Sequence, residues 1–364
     1  MRITLDATPL LGRRTGIGRY AEHLLAELPA ALERAGVQAE VTVTTWTARG
    51  GALRDLPPGV SQRGRRVPAR LLRAVWRRLD VPPVELLSGR TDVFHGTNFV
   101  SPPTRGAREV VTVHDLAFLH HRGTVAPAEQ VLAELVPRAL SRGALVLCPS
   151  DAVRGQLLEA YRLPDERVRV TPLGVAPRWS AALPLPPAAL AARGLPSDYV
   201  VFVGSLEPRK NLRRLVAAHA LARTRAAVPD LVLVGAGGRE PGPAGPGVHR
   251  AGYVPDDELR SLVAGARIVA MPSLDEGFGL PLLEAAACGR PVVASDLPVM
   301  HEVAAAGTTF ADPRDEEALA HALVDALAAP DGPEERAARR AHAGRFTWSR
   351  TADATVAAYL AALR

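Results

Sequence analysis

Cysteines and long apolar runs are both scarce in this sequence, and each shortage excludes a class of protein. The 364 residues include two cysteines, Cys148 and Cys288, which are too few for a disulfide scaffold and lack metal-ligand spacing. No stretch approaches the roughly 20 apolar residues of a membrane-spanning helix. The opening residues MRITLDATPLL contain no apolar signal-peptide core. We therefore expect a cytoplasmic protein.

Aromatic residues are also scarce, at 4%, whereas the formal net charge is +6. Nucleic-acid-binding surfaces usually interleave aromatics with a basic stripe. No such stripe occurs here, so we expect no nucleic-acid partner. The arginine excess suits an anionic ligand, although abundant Ala, Arg and Pro are also typical of a GC-rich genome, which is the simpler explanation.

Short apolar runs alternate with helical patterns in two series. The predicted strands cover residues 2–8, 39–46, 92–96, 108–115, 144–150 and 167–174, and then 199–205, 230–236, 248–254, 266–273 and 291–296. Apolar strands separated by amphipathic helices are typical of parallel sheets covered on both faces. The sequence therefore predicts an α/β protein.

A Pro- and Ala-rich segment, 176–198, separates the two series and is predicted to be a linker. We predict two doubly wound, Rossmann-like domains, 1–180 and 185–345, that face each other across a cleft. Ligands of such sheets bind at the carboxyl ends of the strands, so the cleft is the expected site. The helix predicted at 346–364 serves in packing, and one option is that it returns to the first domain.

The segment EGFGLPLLEAAACGRPVVAS, 276–295, places two acids around a glycine-containing turn. Gly277 and Gly279 allow the backbone to approach a ligand closely, and the helix start that follows suits a diphosphate. Glu276 and Glu284 would repel that anion, so we expect them to hold sugar hydroxyls instead. The alternative for Glu284 alone is an acid favoured by the helix dipole.

Two adjacent cations, Arg209 and Lys210, follow the strand that ends at Gly204 in VFVGSLEPRKNLRRL. Arginine binds phosphate through its fork and lysine as a point charge. The alternative for an isolated pair is a solvated basic loop. Because this pair repeats the strand–loop–helix arrangement of the acidic motif, we favour a phosphate-binding role.

The first half of the chain offers weaker candidates. Gly16 and Gly18 form a glycine loop that opens a helix after the first strand, but they lack the third glycine and downstream acid of a dinucleotide fingerprint. His114 and Asp115 lie at the end of another strand, where a catalytic group would project. His95, at a similar strand end, is a weaker candidate.

Two further hypotheses concern metal and membrane. His120 and His121, together with His114, resemble a metal site, but no carboxylate or cysteine lies at matching spacing, so we expect no metal. Residues 63–80 form a basic amphipathic segment that could bind an anionic membrane. In that interpretation the residues that face lipid are Leu71, Leu72, Val75 and Trp76. The favoured alternative is a helix packed on its own domain.

Taken together, these motifs resemble glycosyltransferase family 4, retaining enzymes of the GT-B fold. The resemblance covers nearly the whole chain and is most specific at 276–295, which matches the acid–seven–acid motif of the family. The motifs GSLEPRKNL, AGYVPDDEL, TVHDLAF and GIGRY are similar to a bacterial subgroup of mannosyltransferase-like and rhamnosyltransferase-like enzymes.

The resemblance implies a role for each motif. The residues implied to hold the donor diphosphate and the transferred sugar are Gly16, Gly18, Ser205, Arg209, Lys210, Gly277, Phe278, Gly279 and Leu280. Those implied to contact the ribose and base are Glu284, Tyr253 and Val254. The candidate catalytic residues are His114, Asp115 and Glu276. Many relatives carry Arg where this chain has Ser205, so one cationic contact to the phosphates is either missing or supplied elsewhere, and Arg209 is one option.

The expected activity is transfer of a hexose from a nucleotide diphosphate sugar to an acceptor hydroxyl, with retained anomeric configuration. GDP-mannose is the first choice of donor, UDP- and dTDP-sugars stay open, and no metal cofactor is expected. The expected acceptor is a saccharide, a lipid-linked sugar or an aglycone, and contact with an anionic membrane stays open. The alternatives are a GT-B epimerase or phosphorylase and a non-catalytic nucleotide-sugar-binding protein.

Overall fold

The computed structural model describes residues 1–12, 15–48, 52–53, 55–120, 130–235 and 243–364. Its contacts divide the chain into two units. The first comprises Met1–Gly174 and Thr347–Arg364, and the second comprises Val175–Phe346. The polypeptide therefore passes from the first unit to the second at residues 174–175 and returns to the first at residues 346–347.

The segment 176–198, predicted to be a linker, instead belongs to the second unit. Its apolar side chains explain the difference, because Trp179, Leu190 and Leu195 are all buried. The prolines of this segment support short helical turns at Pro177–Trp179 and Pro187–Ala191 rather than an extended spacer.

The first unit is built on a seven-stranded parallel sheet in the order β3-β2-β1-β4-β5-β6-β7. Its strands are β1 Arg2–Asp6, β2 Glu40–Thr44, β3 Val60–Gln62, β4 Val93–Gly96, β5 Arg108–Thr112, β6 Leu145–Cys148 and β7 Val168–Val170. The chain order reverses between β1 and β4, which makes that pair a topological switch point. The edge strand β3 was not predicted, because its sequence VSQ contains a single apolar residue.

The helices of the first unit that precede the second unit in sequence are α1 Gly16–Arg34, α2 Ala69–Trp76, α3 Glu85–Ser88, α4 Ala117–His120, α5 Leu132–Ser141 and α6 Asp151–Tyr161. Two of them begin at hydroxyl caps: the side chain of Thr15 accepts from the amide of Gly18, and that of Ser150 accepts from the amide of Val153. Such caps satisfy amides that have no partner within the helix.

The second unit is built on a six-stranded parallel sheet in the order β10-β9-β8-β11-β12-β13. Its strands are β8 Tyr199–Val203, β9 Asp230–Val234, β10 Val248–Gly252, β11 Ile268–Met271, β12 Val292–Ser295 and β13 Thr309–Ala311. Its helices are α7 Pro187–Ala191, α8 Leu212–Arg223, α9 Asp256–Gly265, α10 Leu280–Ala287, α11 Pro298–Val303, α12 Glu316–Ala328 and α13 Pro333–Ala343. The sequence did not predict the short edge strand β13.

The last helix, α14 (Trp348–Leu363), follows the second unit in sequence but belongs to the first. The Trp348 ring stacks on His23 of α1 with ring centroids 4.8 Å apart. The Tyr359 hydroxyl hydrogen-bonds to Nδ1 of His95 at 2.7 Å, and Asp353 pairs with Arg34 at 2.7 Å. Helix α14 is therefore an integral part of the first unit.

Helix α2 does not present the apolar face that the membrane hypothesis required. Leu72 and Trp76 are buried in the core, where the Trp76 ring packs edge-on against Trp46 and its Nε1 donates to the carbonyl of Pro82 at 3.1 Å. The lipid-facing assignment of these two residues is therefore wrong, whereas Leu71 is 57% exposed. In the described residues no helix has the length and apolar character needed to span a membrane.

Candidate active site

The acidic motif forms a loop and helix at the carboxyl end of β11. Gly279 adopts φ +88° as the residue before α10, a left-handed conformation that strains other side chains, and Pro281 occupies the first turn of the helix. The first amides of α10 thereby face outward from the helix start, as anion-binding helices require. Phe278, just before this turn, is buried and meets Phe346 edge-on at 6.1 Å.

Glu276 lies in this loop and forms an ion pair with Lys210. The Lys210 ammonium donates to Oε1 of Glu276, which also accepts from the Ser273 hydroxyl at 2.9 Å. The side chains are largely buried, with 10% of Glu276 and 12% of Lys210 exposed. The Coulomb attraction within an ion pair so shielded from water is greater than at the surface. Removing one partner is costly, because the other charge stays buried.

Lys210 and Arg209 reach this position because they lie on a 3-10 turn after β8 (Pro208–Lys210). The amide of Leu274 donates to the carbonyl of Arg209 at 2.8 Å and so joins this turn to the acidic loop. The Arg209 guanidinium lies 3.8 Å from Oε2 of Glu276 and 3.1 Å from Glu207. Two cations and two carboxylates thus form one compact cluster.

The charge state of Glu276 follows from two opposing effects. Burial by itself raises the pKa of the carboxyl, but the positive charges of Lys210 and Arg209 and the hydrogen bonds from Lys210 and Ser273 outweigh it and hold the pKa below its ordinary value. Glu276 is therefore ionised at neutral pH. Such a carboxylate can accept hydrogen bonds from sugar hydroxyls in a fixed direction.

Asn211 is a residue of this region that sequence reasoning missed. It is buried, adopts φ 59° before α8, and its side-chain amide donates to the carbonyls of Pro272 and Pro313 at 3.0 and 2.6 Å. Asn211 thereby ties the Lys210 turn to the loop that carries Glu276. An asparagine directly after two cations and before a helix was a usable signal, because asparagine tolerates this conformation.

The remaining donor-site candidates of the second unit lie at the same carboxyl edge of its parallel sheet. Ser205 follows β8 and is partly exposed, whereas Tyr253 and Val254 follow the edge strand β10, with Tyr253 exposed and Val254 buried. Glu284 lies inside α10 and is 3% exposed. Burial, followed by the charge of Glu284, raises the pKa of the Cys288 thiol to about 12.

His114 follows β5 in the first unit and is buried between two aromatic rings, Tyr20 at 5.0 Å and Phe99 at 5.4 Å. Its Nε2 donates to the carbonyl of Thr97 at 2.9 Å. A carbonyl can only accept, so Nε2 carries the proton and Nδ1 of the neutral ring is an acceptor. Burial lowers the pKa of His114 and keeps the ring neutral at neutral pH.

The neighbouring candidates of the first unit have structural contacts. Asp115 Oδ1 accepts from the amide of Ala117 at 3.1 Å and so caps the start of α4. Gly16 and Gly18 are not a separate loop but the first turn of α1, with Gly16 exposed and Gly18 buried.

His95 is a core residue. Its ring is fully buried and hydrogen-bonds at 2.7 Å to both Tyr359 and the hydroxyl of Thr112, while burial and then the charge of His114 lower its pKa to about 3. His120 ends α4, and His121 lies outside the described residues. Within the part of the chain that the structure describes, no three His, Cys, Asp or Glu residues form a potential metal site.

Comparison with protein families gives two adjacent matches. The family model described as Glycosyltransferase Family 4 matches residues 14–179. The model described as Glycosyl transferases group 1 matches residues 197–329. The first match contains α1 and strands β2 to β7. The second contains both the Lys210 turn and the acidic loop.

Individual proteins are similar over all or most of the chain. O-antigen chain mannosyltransferase B of Escherichia coli is 32% identical over 99% of this chain and 99% of its own length. D-inositol 3-phosphate glycosyltransferase of Segniliparus rotundus is 34% identical over 71% of this chain and 62% of its own length. Sucrose-phosphate synthase from Thermosynechococcus elongatus superimposes with a TM-score of 0.73 at 21% identity, over 99% of this chain and 98% of that one.

Proposed function

Because this chain belongs to glycosyltransferase family 4 and has the two parallel-sheet α/β domains of the GT-B fold, we propose that it transfers a hexose from a nucleotide diphosphate sugar to an acceptor hydroxyl with retained anomeric configuration. In this reaction the bond from the anomeric carbon to the diphosphate breaks, and a bond to the acceptor oxygen forms. The leaving diphosphate takes the electron pair of the broken bond and, in the balanced reaction, the proton of the acceptor hydroxyl. The transition state therefore needs positive charge beside the diphosphate.

The observation that carries this proposal is the cluster of Arg209, Lys210 and Glu276 at the carboxyl ends of β8 and β11. The two cations supply the charge that a leaving diphosphate requires. In this cluster Glu276 and Glu207 balance the two cations. A bound diphosphate competes with the two carboxylates for Arg209 and Lys210, so donor binding releases part of Glu276 for the sugar.

The carboxylate of Glu276 is assigned to the hydroxyls of the transferred sugar. Its lowered pKa keeps it ionised, and an ionised carboxylate accepts stronger hydrogen bonds than a neutral acid. The amides from Phe278 to Leu280 at the start of α10 are assigned to the diphosphate, because a helix start favours an anion.

The family motif supports the remaining assignments. Glu284 is assigned to the ribose, and Tyr253 and Val254 to the base. His114 is assigned to the transferred sugar, with its Nδ1 as acceptor. Asp115 caps α4, so its proposed role is to hold the turn that carries His114.

GDP-mannose is the proposed donor, and mannose is the proposed transferred sugar. The support is the 32% identity to O-antigen chain mannosyltransferase B of Escherichia coli over the length of both chains. That likeness also favours an acceptor hydroxyl on a growing bacterial glycan or glycolipid.

A thermal-shift panel of GDP, UDP, dTDP and ADP tests the donor site. A ligand at 100 times its Kd stabilises the folded protein by about 2.7 kcal/mol, and for a unit of this size about 2–4 °C accompanies each kcal/mol. We expect GDP to raise the melting temperature by about 5–10 °C on these relations. If none of the four nucleotides shifts the transition, the proposed donor site is wrong.

The Glu276→Gln variant separates a transferase from a binding protein. We expect it to bind GDP as the parent does but to lose most transfer of mannose from GDP-mannose, measured by mass spectrometry with a mixture of saccharide and lipid-linked acceptors. Anomeric proton couplings of the product check retention. Nucleotide binding without transfer to any acceptor in the parent protein would favour the non-catalytic alternative.

A further inference from the structure

A cavity of about 370 Å³ lies at the carboxyl ends of β2 and β3 in the first unit. The described residues that line it are Thr45, Thr47, Ala52, Gln62, Arg63, Gly64, Arg65 and Arg66. Its size falls in the range of small-molecule sites. None of the residues assigned to the donor lines it, so the donor site does not account for this cavity.

The charge of the cavity is positive. Three arginines line it, and the described lining includes no acid. The Arg63 guanidinium forms an ion pair at 2.6 Å with Glu40, which lies at the amino end of β2, away from the cavity. Arg65 and Arg66 are exposed, and these two guanidinium groups provide the charge for a ligand.

Hydroxyl and amide groups complete the lining. The Gln62 side chain is held at both atoms: its Oε1 accepts from the amide of Leu53 at 2.7 Å and its Nε2 donates to the Thr45 hydroxyl at 3.3 Å. Because the Thr45 oxygen acts as acceptor in that bond, its proton is directed elsewhere. The Gln62 side chain is therefore held in one orientation, which lowers the ordering cost of binding a ligand beside it.

Gly64 shapes the wall between Gln62 and Arg65. It adopts φ +142°, and a side chain there would collide with the hydroxyl of Thr44. That hydroxyl is fully buried and has no hydrogen-bond partner in the described residues. A buried polar group without a partner is costly, and this one faces the stretch of backbone that lines the cavity.

We propose that this cavity, which we call the Arg65–Arg66 pocket, binds the phosphate group of a phosphorylated acceptor. The proposal rests on the proposed function, which it deepens by naming the chemical class of the acceptor. Guanidinium forks bind phosphate oxygens in pairs, and the threonine hydroxyls are further donors.

The position of the pocket within the sheet sets the geometry of the acceptor. Strand β5, which precedes His114, ends at the same edge of the sheet as β2. The two strands are three spacings apart, about 14 Å at about 4.8 Å per strand. The phosphate and the reacting hydroxyl therefore occupy opposite ends of the acceptor.

The test compares two double variants of the full chain. Arg65→Ala/Arg66→Ala removes the proposed phosphate ligands. Arg105→Ala/Arg108→Ala is the matched control, because it removes the same charge at the amino end of β5. Both are made in the parent and in the Lys210→Met background, so that phosphate binding at the donor site is measured separately.

Binding of glycerol 1-phosphate is measured by calorimetric titration, and binding to phosphatidylcholine vesicles with and without phosphatidic acid by sedimentation. We expect Arg65→Ala/Arg66→Ala to weaken phosphate binding about tenfold or more, since each bond to a charged group contributes at least a factor of ten. The control variant should stay within about twofold of the parent. Dependence of glycerol 1-phosphate binding on these arginines supports a soluble phosphorylated acceptor, and dependence of vesicle binding supports a lipid-linked one.

Two results would overturn the proposal: parent-like phosphate and vesicle binding by Arg65→Ala/Arg66→Ala, or no phosphate binding by the parent. The outcome of the nucleotide panel does not depend on either result, because that panel tests the donor site in the other unit. Conversely, loss of the nucleotide response with intact phosphate binding would count against the proposed function and leave the pocket standing.

Discussion

Replacing Lys210 with Met removes the positive charge that faces the buried carboxylate of Glu276 while keeping most of the side-chain volume. The pair is about nine-tenths shielded from water. Two unit charges 4 Å apart interact by about 4 kcal/mol at an effective dielectric of 20. Removing one partner of a buried pair costs about 3–5 kcal/mol, because the other charge stays buried.

The expected result is a fall in the melting temperature of the second unit of about 6–12 °C at pH 7.5, taking about 3 kcal/mol and about 2–4 °C per kcal/mol. The Lys210→Met/Glu276→Gln double variant should recover part of this loss, because it leaves no unpaired charge. Calorimetry of the parent, both single variants and the double variant gives the coupling energy. Melting within about 2 °C of the parent for Lys210→Met would refute the reasoning.

The pH dependence provides a second check. The pKa of Glu276 is lowered in the folded parent, so its contribution to stability is present above the ordinary carboxyl pKa and is lost as pH falls through the lowered value. In Lys210→Met the charge that lowers the pKa of Glu276 is lost, so burial becomes the larger effect and raises that pKa. The variant therefore loses stability as pH rises and Glu276 ionises without its partner. The melting-temperature gap should therefore narrow between pH 7.5 and pH 5, and a gap that widens on acidification would contradict this account.

Three further changes test other parts of the structure. Asn211→Ala should destabilise the second unit by about 3 kcal/mol, because two buried carbonyls lose their donor and alanine is strained at this positive φ. Asn211→Gly should cost about 1 kcal/mol less, because glycine adopts this φ without strain. Equal losses for the two variants in calorimetry would show that backbone strain does not contribute. Tyr359→Phe should cost the first unit about 1–3 kcal/mol, since Nδ1 of His95 loses its buried partner, and an unchanged melting transition would count against that contact. His114→Asn should lower turnover. In the parent, burial lowers the pKa of His114, so we expect the fall in rate on acidification to occur below pH 6.5, and the variant should lack this fall. If the rate of the parent instead falls above pH 6.5, the assignment of His114 is wrong.

The alternation of apolar strands and helices was enough to predict both parallel sheets, because buried strands and amphipathic helices have local periodic signals. The sequence was also enough to predict the family, since the motif that contains Glu276 and Glu284 is contiguous in sequence. The edge strands β3 and β13 escaped prediction, whereas the edge strands β7 and β10 were predicted from their alternating residues. The prediction that 176–198 is a linker was wrong, because this segment packs within the second unit. Its proline content indicated turns but did not indicate which unit those turns pack against.

Some properties of single residues were decided by neighbours distant in sequence. The segment 63–80 has an amphipathic pattern, but the pattern alone did not tell whether Trp76 faces lipid or the core. Packing against Trp46 settles it. His95 lies within β4 near its carboxyl end and His114 follows β5. The ring of His95 is enclosed by hydrogen bonds from β5 and α14, whereas the ring of His114 keeps an acceptor nitrogen.

By itself, the order of amino acids determined the α/β class, the family and the residue types at the strand ends, because each of these depends on short stretches of chain. Only the tertiary structure decided that Lys210 faces Glu276, 66 positions away, and that arginines, threonines and a glutamine from separate segments line one cavity. Such contacts depend on strand order and loop path. Neither has a local signal, because β8 and β11 become neighbours only when the sheet assembles.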